Sequence, residues 1–145
     1  MRRGFSLLTA VVFLILVATL GSLALSMSSL GVKQTSDIYL REQAELLLQS
    51  GTEYALLAIS AHDINKSGNC LNSIDAEFPP YFDINITIWY MGNGLPTANG
   101  KCNILDNTIV TPESNVTVIM DTFVSLKEGV ATEPIRLHRR TLQKP

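Results

Sequence analysis

Residues 2–32 read RRGFSLLTAVVFLILVATLGSLALSMSSLGV, and no charged residue occurs between Phe5 and Val32. A helix of about 20 apolar residues spans the hydrocarbon core of a bilayer, so this run is long enough to cross a membrane. Arg2 and Arg3 precede the run, and basic flanks of this kind are retained on the cytoplasmic side. The sequence therefore predicts one membrane-spanning helix that places the rest of the chain on the far side of the membrane.

The overall composition averages this apolar run with an ordinary soluble segment. The chain has 145 residues and is 46% hydrophobic, and charged residues reappear from Lys33 onward. At this length we expect one domain plus an N-terminal addition. The formal net charge of −2 argues against a protein that binds nucleic acid through bulk positive charge.

An amphipathic helix pattern continues beyond Lys33. Apolar or small residues recur at alternating spacings of four and three, at Leu40, Ala44, Leu47, Gly51, Tyr54 and Ala58. No proline occurs in residues 5–62, so one helix can run through the whole stretch. We expect the outer half, residues 33–62, to lay its apolar stripe on a small β-rich head at 63–145.

The head contains two segments that alternate as strands do. Residues 82–91, FDINITIWYM, place one apolar set on a single face: Phe82, Ile84, Ile86, Ile88 and Tyr90. Residues 115–126 alternate likewise, with Val116, Val118, Met120, Thr122 and Val124, and residues 134–142 are expected to form a last strand. Residues 66–81 are expected to be irregular, because Pro79-Pro80 excludes a regular helix. The predicted fold class is α+β: a long N-terminal membrane-spanning helix packed on a small antiparallel β-sheet head.

Two cysteines, Cys70 and Cys102, both follow the membrane segment. In an exported head such cysteines pair as a disulfide, which we predict here. The bridge would stabilise the fold by roughly 3–4 kcal/mol in the chain-entropy model, and a head this small is marginal without a covalent link. Two buried free thiols are the alternative.

The N-terminus admits three interpretations: a cleaved secretory signal, a plain single-pass anchor or a prepilin. A secretory signal has an apolar core of about 7–15 residues, about half the run found here, and no small-x-small site ends the run. A plain anchor does not explain why the basic block stops at one glycine followed at once by phenylalanine, at Gly4-Phe5.

The stretch RGFSLLTAVVFL, residues 3–14, resembles the class III signal of type IV pilins and type II secretion pseudopilins. The resemblance implies that a prepilin peptidase cuts between Gly4 and Phe5 and then N-methylates Phe5. It also implies a leader at 1–4 and a transmembrane half-helix at 5–32. The likeness is specific over residues 2 to about 30, is one of architecture up to residue 62, and says little about the head.

Thr9 departs from the family pattern. Most members carry glutamate at this fifth position of the mature chain, where its carboxylate is thought to pair with the N-terminal amine of a neighbouring subunit. A carboxylate is costly in lipid unless it is paired, and Thr9 supplies none. The departure favours a minor subunit. K-type pseudopilins, which sit at the filament tip, lack the glutamate but are much larger, and minor subunits of the pilus are the other candidate class. Lineage drift in a system that tolerates threonine is the alternative.

Small residues mark one face of the membrane segment. Ala18, Ser22 and Ser26 recur every four residues, a spacing that lets membrane helices approach closely. Gly21 weakens the helix by about 1 kcal/mol relative to alanine, and the resemblance makes it a candidate melting point on assembly. An incidental small residue is the equal alternative.

Three N-x-[ST] sequons occur, at Asn65, Asn85 and Asn115, within DINKS, DINIT and ESNVT. Each has an acid two residues before the asparagine, which resembles the extended sequon of bacterial N-linked glycosylation. Asn65 is the best candidate for modification, because its sequon lies in a loop. The alternative is that Asp and Asn cluster in turns for structural reasons.

No enzyme signature, cofactor motif or metal-ligand spacing occurs in the sequence, so we expect no catalytic activity, no cofactor and no metal site. A basic C-terminal stretch contains Arg136, His138, Arg139, Arg140 and Lys144. Such a stretch is commonly a solvated edge strand; contact with an acidic subunit, or with DNA in an uptake pilus, is a weaker alternative.

The predicted function is that of a minor structural subunit of a type IV pilus or type II secretion pseudopilus. The resemblance implies as partners other pilin or pseudopilin subunits, a prepilin peptidase, an inner-membrane assembly platform and the lipid bilayer. The head would lie in the periplasm, or outside the cell in an assembled pilus. The rival interpretation is a monomeric, membrane-anchored periplasmic binding domain that joins no filament.

Overall fold

The computed structural model describes residues 3–98, 100–112, 115–131 and 133–145, with side chains from Leu7 onward. Two helices come first, α1 (Arg3–Ala61) and α2 (Ile64–Ser67). Five strands follow: β1 (Ser73–Phe78), β2 (Phe82–Gly92), β3 (Ile104–Asp106), β4 (Val116–Leu126) and β5 (Arg136–Gln143). The chain divides into two compact units, Met1–Tyr39 and Leu40–Pro145.

The described part of the first unit is helical. Nearly all its side chains from Leu7 onward are exposed, including large apolar ones such as Phe13 at 68% and Leu25 at 74%. A helix that is apolar on every side is suited to lipid rather than water. This helix is long and apolar enough to span a membrane by length and composition.

Several hydroxyl groups of the first unit bond within the helix. Those of Thr19, Ser22 and Ser29 each donate to the carbonyl oxygen three residues earlier, and that of Thr35 donates to the carbonyl four residues earlier, all at 2.9 Å. An unsatisfied donor is costly in hydrocarbon. These side chains therefore carry their polar groups into an apolar surface with that cost already removed.

In the second unit, the main sheet has the strand order β1-β2-β4-β5, with every neighbouring pair antiparallel. β3 is the exception, because it pairs in parallel with the end of β2 beyond the residues that β1 covers. The long central strands β2 and β4 pair along eleven residues each, from Phe82↔Leu126 to Gly92↔Val116.

The strand predictions at 82–91 and 115–126 are confirmed, as is the last strand. All five residues of the predicted inner face of β2, including Phe82 and Tyr90, are buried. In β4 the inner residues from Val118 to Val124 are buried, while Val116 is half-buried. Together with the helix packed on the sheet, this arrangement is the predicted α+β fold.

The expectation of irregular structure over residues 66–81 is wrong, because this stretch contains the end of α2 and all of β1. The sequence of β1, SIDAEF, carries two acids and is almost wholly exposed. Its strand conformation comes from pairing with β2, from Ser73↔Thr87 to Phe78↔Phe82. Such tertiary pairing overrides a weak local preference.

The buried face of the outer helix differs from the predicted stripe at its end. Leu40, Ala44, Leu47 and Gly51 are buried as predicted, but Tyr54 is 59% exposed. Ala58 is only half-buried, and the buried positions move to Ala55 and Ile59. A seven-residue repeat drifts by about 20° per heptad on a straight helix, so the predicted stripe leaves the face that meets the sheet.

Gly51 and Thr52 lie where the helix meets the centre of the sheet. A Cβ atom at Gly51 would lie 3.4 Å from Cγ2 of Ile84 and 3.6 Å from Cγ2 of Thr122, so one methyl group fits and a longer side chain does not. The Thr52 hydroxyl donates to the Leu48 carbonyl oxygen at 2.9 Å and lies 3.3 Å from the Thr122 hydroxyl. These contacts satisfy polar groups inside an otherwise apolar core.

The predicted disulfide is confirmed: Cys70 and Cys102 are bonded, and no cysteine is free. The bridge joins the segment after α2 to the segment before β3. A backbone hydrogen bond from Cys70 N to the Lys101 carbonyl runs beside it, and the Asn72 side chain accepts from Asn103 N at 2.9 Å. The two loops are thus fixed to each other covalently and by hydrogen bonds.

Candidate functional site

The apolar surface of α1 is the first candidate site. Ala18, Ser22 and Ser26 are exposed along one face of this helix, four residues apart. Apart from its adjacent residues and the backbone of its own helical turns, a Cβ atom at Gly21 would meet no atom within 4 Å. Packing within the chain therefore does not require glycine there, and the small residues leave a shallow strip where another helix can approach.

The remaining predicted N-terminal residues lie at the start of the same helix. Gly4 and Phe5 are in the first turn of α1, and the side chain of Phe5 is outside the described residues. Thr9 is exposed on α1 and carries no carboxylate. The structure thus places Gly4, Phe5 and Thr9 together with the small-residue strip on one continuous helix.

A second candidate surface is the face of the sheet that points away from the helix. Asp121 of β4 lies at its centre, with its side chain 8% exposed. Arg140 donates from Nε to Oδ1 and from Nη2 to Oδ2, both at 2.7 Å, and His138 Nε2 lies 3.0 Å from Oδ1. The hydrogen bond from Arg140, opposed by burial and aided by His138, holds the pKa of Asp121 below its ordinary value.

Phe123 extends this cluster along β4. The His138 ring stacks on Phe123 with centroids 4.3 Å apart, and the Arg136 guanidinium lies 5.1 Å from the Phe123 ring centre. Three side chains of the predicted basic stretch on β5, those of Arg136, His138 and Arg140, are thus held in place by contacts with Asp121 and Phe123 of the neighbouring strand β4.

Sequence reasoning missed Asp121 and Phe123 as the partners of the basic stretch. The available signal was alternation: both residues occupy the other face of the strand whose inner residues were predicted correctly. The register pairs Asp121 with Arg140 and Phe123 with His138, and this register could not be read from the sequence.

On the same face of the sheet, the other edge, formed by β1 and the start of β2, is acidic. Lys127 Nζ lies 3.3 Å from Glu77 Oε2 and 3.5 Å from Asp83 Oδ1. The hydrogen bond to Glu77 is the main cause of the raised pKa of Lys127. Asp75 neighbours them on β1 and accepts a hydrogen bond from the Asn85 side chain. The face therefore runs from acidic at β1 to basic at β5.

The three sequon asparagines are separated in the structure, and all three are exposed. Asn65 lies in α2, a short helical turn where a loop was expected, because the Asp63 cap closes one turn of helix. Asn85 is the fourth residue of β2, and Asn115 immediately precedes β4. Asp63 caps α2, since its carboxylate accepts from the backbone of Asn65 and Lys66. Glu113, the acid of the third sequon, lies outside the described residues.

Among the described residues, no group of three His, Cys, Asp or Glu side chains could hold a metal ion. Comparison of the chain with family models, with curated proteins and with solved structures gives no match.

Proposed function

We propose that this protein is a minor, pilin-like structural subunit of a type IV pilus or a type II secretion pseudopilus, and that it assembles through its N-terminal helix. The observation that carries the proposal is the contrast along α1. Its first part exposes apolar side chains on every side, whereas the part from Leu40 to Ala61 buries one face on the sheet. One helix thus serves as a membrane segment and as the spine of the head.

The processing signal supports assembly rather than simple anchoring. A prepilin peptidase would cut between Gly4 and Phe5 and leave an N-methylated Phe5 as the first residue. The subunit would wait in the inner membrane with its head in the periplasm. It would then leave the bilayer through an assembly platform, exchanging lipid contacts for contacts with the helices of other subunits.

The strip of Ala18, Ser22 and Ser26 supports close helix packing in such an assembly. Lipid chains are as apolar as leucine, so van der Waals contact between closely approaching helices must favour association. Small side chains make that approach possible, and the Ser22 hydroxyl adds no unsatisfied donor because it donates to the Thr19 carbonyl oxygen.

Thr9 supports the status of a minor subunit. Without a carboxylate at this position, the subunit offers no negative charge to pair with the N-terminal amine of a neighbour. A subunit that repeats along a filament needs the same contact at every step, whereas a subunit used once does not. A position at or near the end of the filament fits this chemistry.

The rival function is that of a monomeric anchored domain whose head binds a partner in the periplasm. The cluster of Asp121, Phe123, His138 and Arg140 on the sheet is the feature that favours it, because this face presents aromatic and charged groups together. Neither assembly nor processing at Gly4-Phe5 would then be needed.

The mature N-terminus distinguishes the two functions. Mass analysis of the protein purified from cells that express it naturally should give a chain that begins with N-methyl-Phe5. A Gly4→Val variant should keep its leader, while Gly31→Ala, in the same helix, should be processed normally. An intact Met1, or a cut near residue 25, would overturn the pilin-like function.

A further inference from the structure

We infer that Asn65 is a site of N-linked glycosylation, and that Asn85 and Asn115 are not. The donor would be an oligosaccharide carried on a polyprenyl diphosphate, and the catalyst an oligosaccharyltransferase that reads acid-x-Asn-x-Ser/Thr. This inference rests on the proposed function only in requiring that the head is exported. The three sequons look equivalent in the sequence, and the structure separates them.

The Asn65 sequon is accessible at every position that the enzyme reads. Asp63, Asn65 and Ser67 are all exposed. α2 is a single four-residue turn without a buried residue, and its ion pair between Lys66 and Asp63 is largely exposed. Ile64 alone of its four residues packs against the core, and it is only partly buried. Few buried contacts are therefore lost when the turn opens locally.

The same turn is held firmly at both of its ends. α1 ends at Ala61 on one side, and Cys70 is tied to Cys102 by the disulfide on the other. Opening is therefore confined to residues 62–69, and the sheet need not unfold for the sequon to enter an active site. This is the property that a folded acceptor requires.

Asn85 fails on the same criteria. It lies within β2, which is paired on both sides by β1 and β4, with Asp75 and Phe123 as its neighbours in the register. Its side-chain nitrogen, the atom that would be glycosylated, donates a hydrogen bond to the Asp75 carboxylate. Presenting Asn85 in an extended peptide would require removing a central strand from the sheet.

Asn115 is also unsuitable, although its side chain is exposed. Its carbonyl accepts from Asn93 N at 3.2 Å, and a Cβ atom on Gly92 would lie 2.4 Å from that carbonyl oxygen. The hydroxyl residue of this sequon, Thr117, is 8% exposed within β4. The enzyme could not read Thr117 without breaking the β2–β4 pairing.

Asp63 has two roles in this scheme. In the closed turn its Oδ1 accepts from Asn65 N at 3.0 Å and from Lys66 N at 3.2 Å, while the Ser67 hydroxyl lies 2.9 Å from the Asp63 carbonyl oxygen. In the open turn the carboxylate and the hydroxyl are both released for recognition. The cap alone would explain an acid here, so a test must separate capping from recognition.

The transfer balances without any redox change. Nδ2 of Asn65 attacks the anomeric carbon of the donor sugar, and a carbon–nitrogen bond forms. The bond between that carbon and the diphosphate oxygen breaks, and polyprenyl diphosphate leaves. The amide gives up one proton to a base of the transferase or to solvent.

The test is glycopeptide mass spectrometry on the full-length protein from cells that express it naturally. We expect a glycan on the peptide that contains residues 63–67, and unmodified Asn85 and Asn115. Asn65→Gln should abolish the modification. Ser67→Ala should do the same, whereas Ser67→Thr, which keeps a hydroxyl, should retain it.

Asp63→Ser separates the two roles of the acid, because serine is a good N-cap but has no carboxylate. Recognition of the acid predicts that occupancy falls at least tenfold in this variant, while Asp63→Glu retains most of it. Unchanged occupancy in Asp63→Ser would overturn recognition through the acid.

The same spectra report the N-terminus and so keep the two proposals apart. A chain that begins with N-methyl-Phe5 but carries an unmodified Asn65 overturns the glycosylation site alone. A glycan on Asn65 together with an intact Met1 overturns the pilin-like function and leaves the site standing. A glycan found only on Asn85 or Asn115 overturns the structural selection made here.

Discussion

Arg140 and Asp121 form a bidentate ion pair between β5 and β4, with Nε–Oδ1 and Nη2–Oδ2 distances of 2.7 Å. Two parallel charge-assisted hydrogen bonds fix the relative position of the strands as well as adding stability. The pair aligns with the backbone register, in which Asp121 and Arg140 face each other. It therefore connects the exposed edge strand β5 to the buried centre of the sheet.

The ion pair predicts an acid-sensitive part of the stability. Because Arg140 lowers the pKa of Asp121 in the folded state, the carboxylate stabilises the fold fully above its ordinary value of 3.8. This contribution is lost as the pH falls below that value towards the folded-state pKa. Asp121→Asn should lower Tm at neutral pH and should show a smaller further loss between about pH 5 and about pH 3.

The measurement is thermal unfolding of the full chain in detergent, followed by circular dichroism across that pH range. Glu53→Gln changes an exposed acid on α1 and serves as the control, with an acid response like that of the unaltered protein. If Asp121→Asn kept the full acid response, Asp121 would not be its source.

Tyr90 predicts a loss of stability at alkaline pH. Burial raises the pKa of Tyr90 from 10.0 to about 12, so the unfolded chain ionises first. The stability that neutral Tyr90 contributes is complete below pH 10.0 and is lost as the pH rises towards about 12. Tyr90→Phe should flatten this decline in unfolding experiments.

Tyr90→Phe should also cost about 1 kcal/mol at neutral pH, because it removes the 2.8 Å hydrogen bond that the Tyr90 hydroxyl donates to the Leu71 carbonyl oxygen. Tyr54→Phe is the matched control, since Tyr54 is 59% exposed. An equal effect of the two substitutions would argue against a special role for Tyr90.

Gly51 predicts opposite effects for small and large substitutions. Alanine has better helix propensity by about 1 kcal/mol, and its Cβ would meet Ile84 at 3.4 Å, an ordinary contact. Gly51→Ala should therefore raise the free energy of unfolding by up to about 1 kcal/mol. Gly51→Leu should lower it by about 1–3 kcal/mol through overpacking against the sheet. Denaturant unfolding of both variants checks the sign, and destabilisation by alanine would contradict the fit.

The disulfide predicts a stability that depends on redox conditions. Reduction of Cys70–Cys102 should cost roughly 3–4 kcal/mol in the chain-entropy model, seen as a lower denaturant midpoint after reduction. The Cys70→Ser/Cys102→Ser double variant should start at that lower value and should not respond to reductant. A response in the double variant would show that the reductant acts elsewhere.

The proposed role of Thr9 predicts that introducing a carboxylate at this position increases the number of copies of the subunit in each filament. If the missing charge confines the subunit to a single place, Thr9→Glu should raise the number of copies per filament, counted by quantitative mass spectrometry of sheared filaments. Thr9→Gln has nearly the same size without the charge and should leave the count unchanged. A carboxylate in a membrane helix is costly unless it is paired, so the copy number is compared only after membrane levels of both variants are matched to that of the unaltered protein. An unchanged copy number for properly inserted Thr9→Glu would contradict the proposed minor-subunit role.

The pattern of apolar residues predicted those elements whose own sequence shows either a continuous apolar surface or one buried face. The run from Phe5 to Val32 and the alternation in β2 and β4 needed no partner to be recognised. β1 could not be predicted, because its strand conformation depends on β2. The shift of the buried helix face from the predicted position Tyr54 to Ala55 could not be predicted either, because it depends on how the helix packs on the sheet.

The candidate sites divide in the same way. Gly4, Phe5 and Thr9 are predicted from a local pattern alone, whereas the Cys70–Cys102 disulfide followed from the expected compartment and is present in the structure. The pairing of Asp121 with Arg140 required the register between β4 and β5, which alternation alone leaves undetermined. The difference between the Asn65 and Asn85 sequons likewise depends on what surrounds each asparagine.

The hydroxyls of Thr19, Ser22, Ser29 and Thr35 donate to backbone carbonyl oxygens of their own helix, so these donors need no hydrogen-bond acceptor from the surroundings. Moving this segment from lipid into a bundle of helices would be a transfer between two solvents of nearly equal quality. Such a transfer has almost no preferred direction of its own. The direction would have to be set by close helix packing, by contacts between heads, or by work supplied from outside the chain.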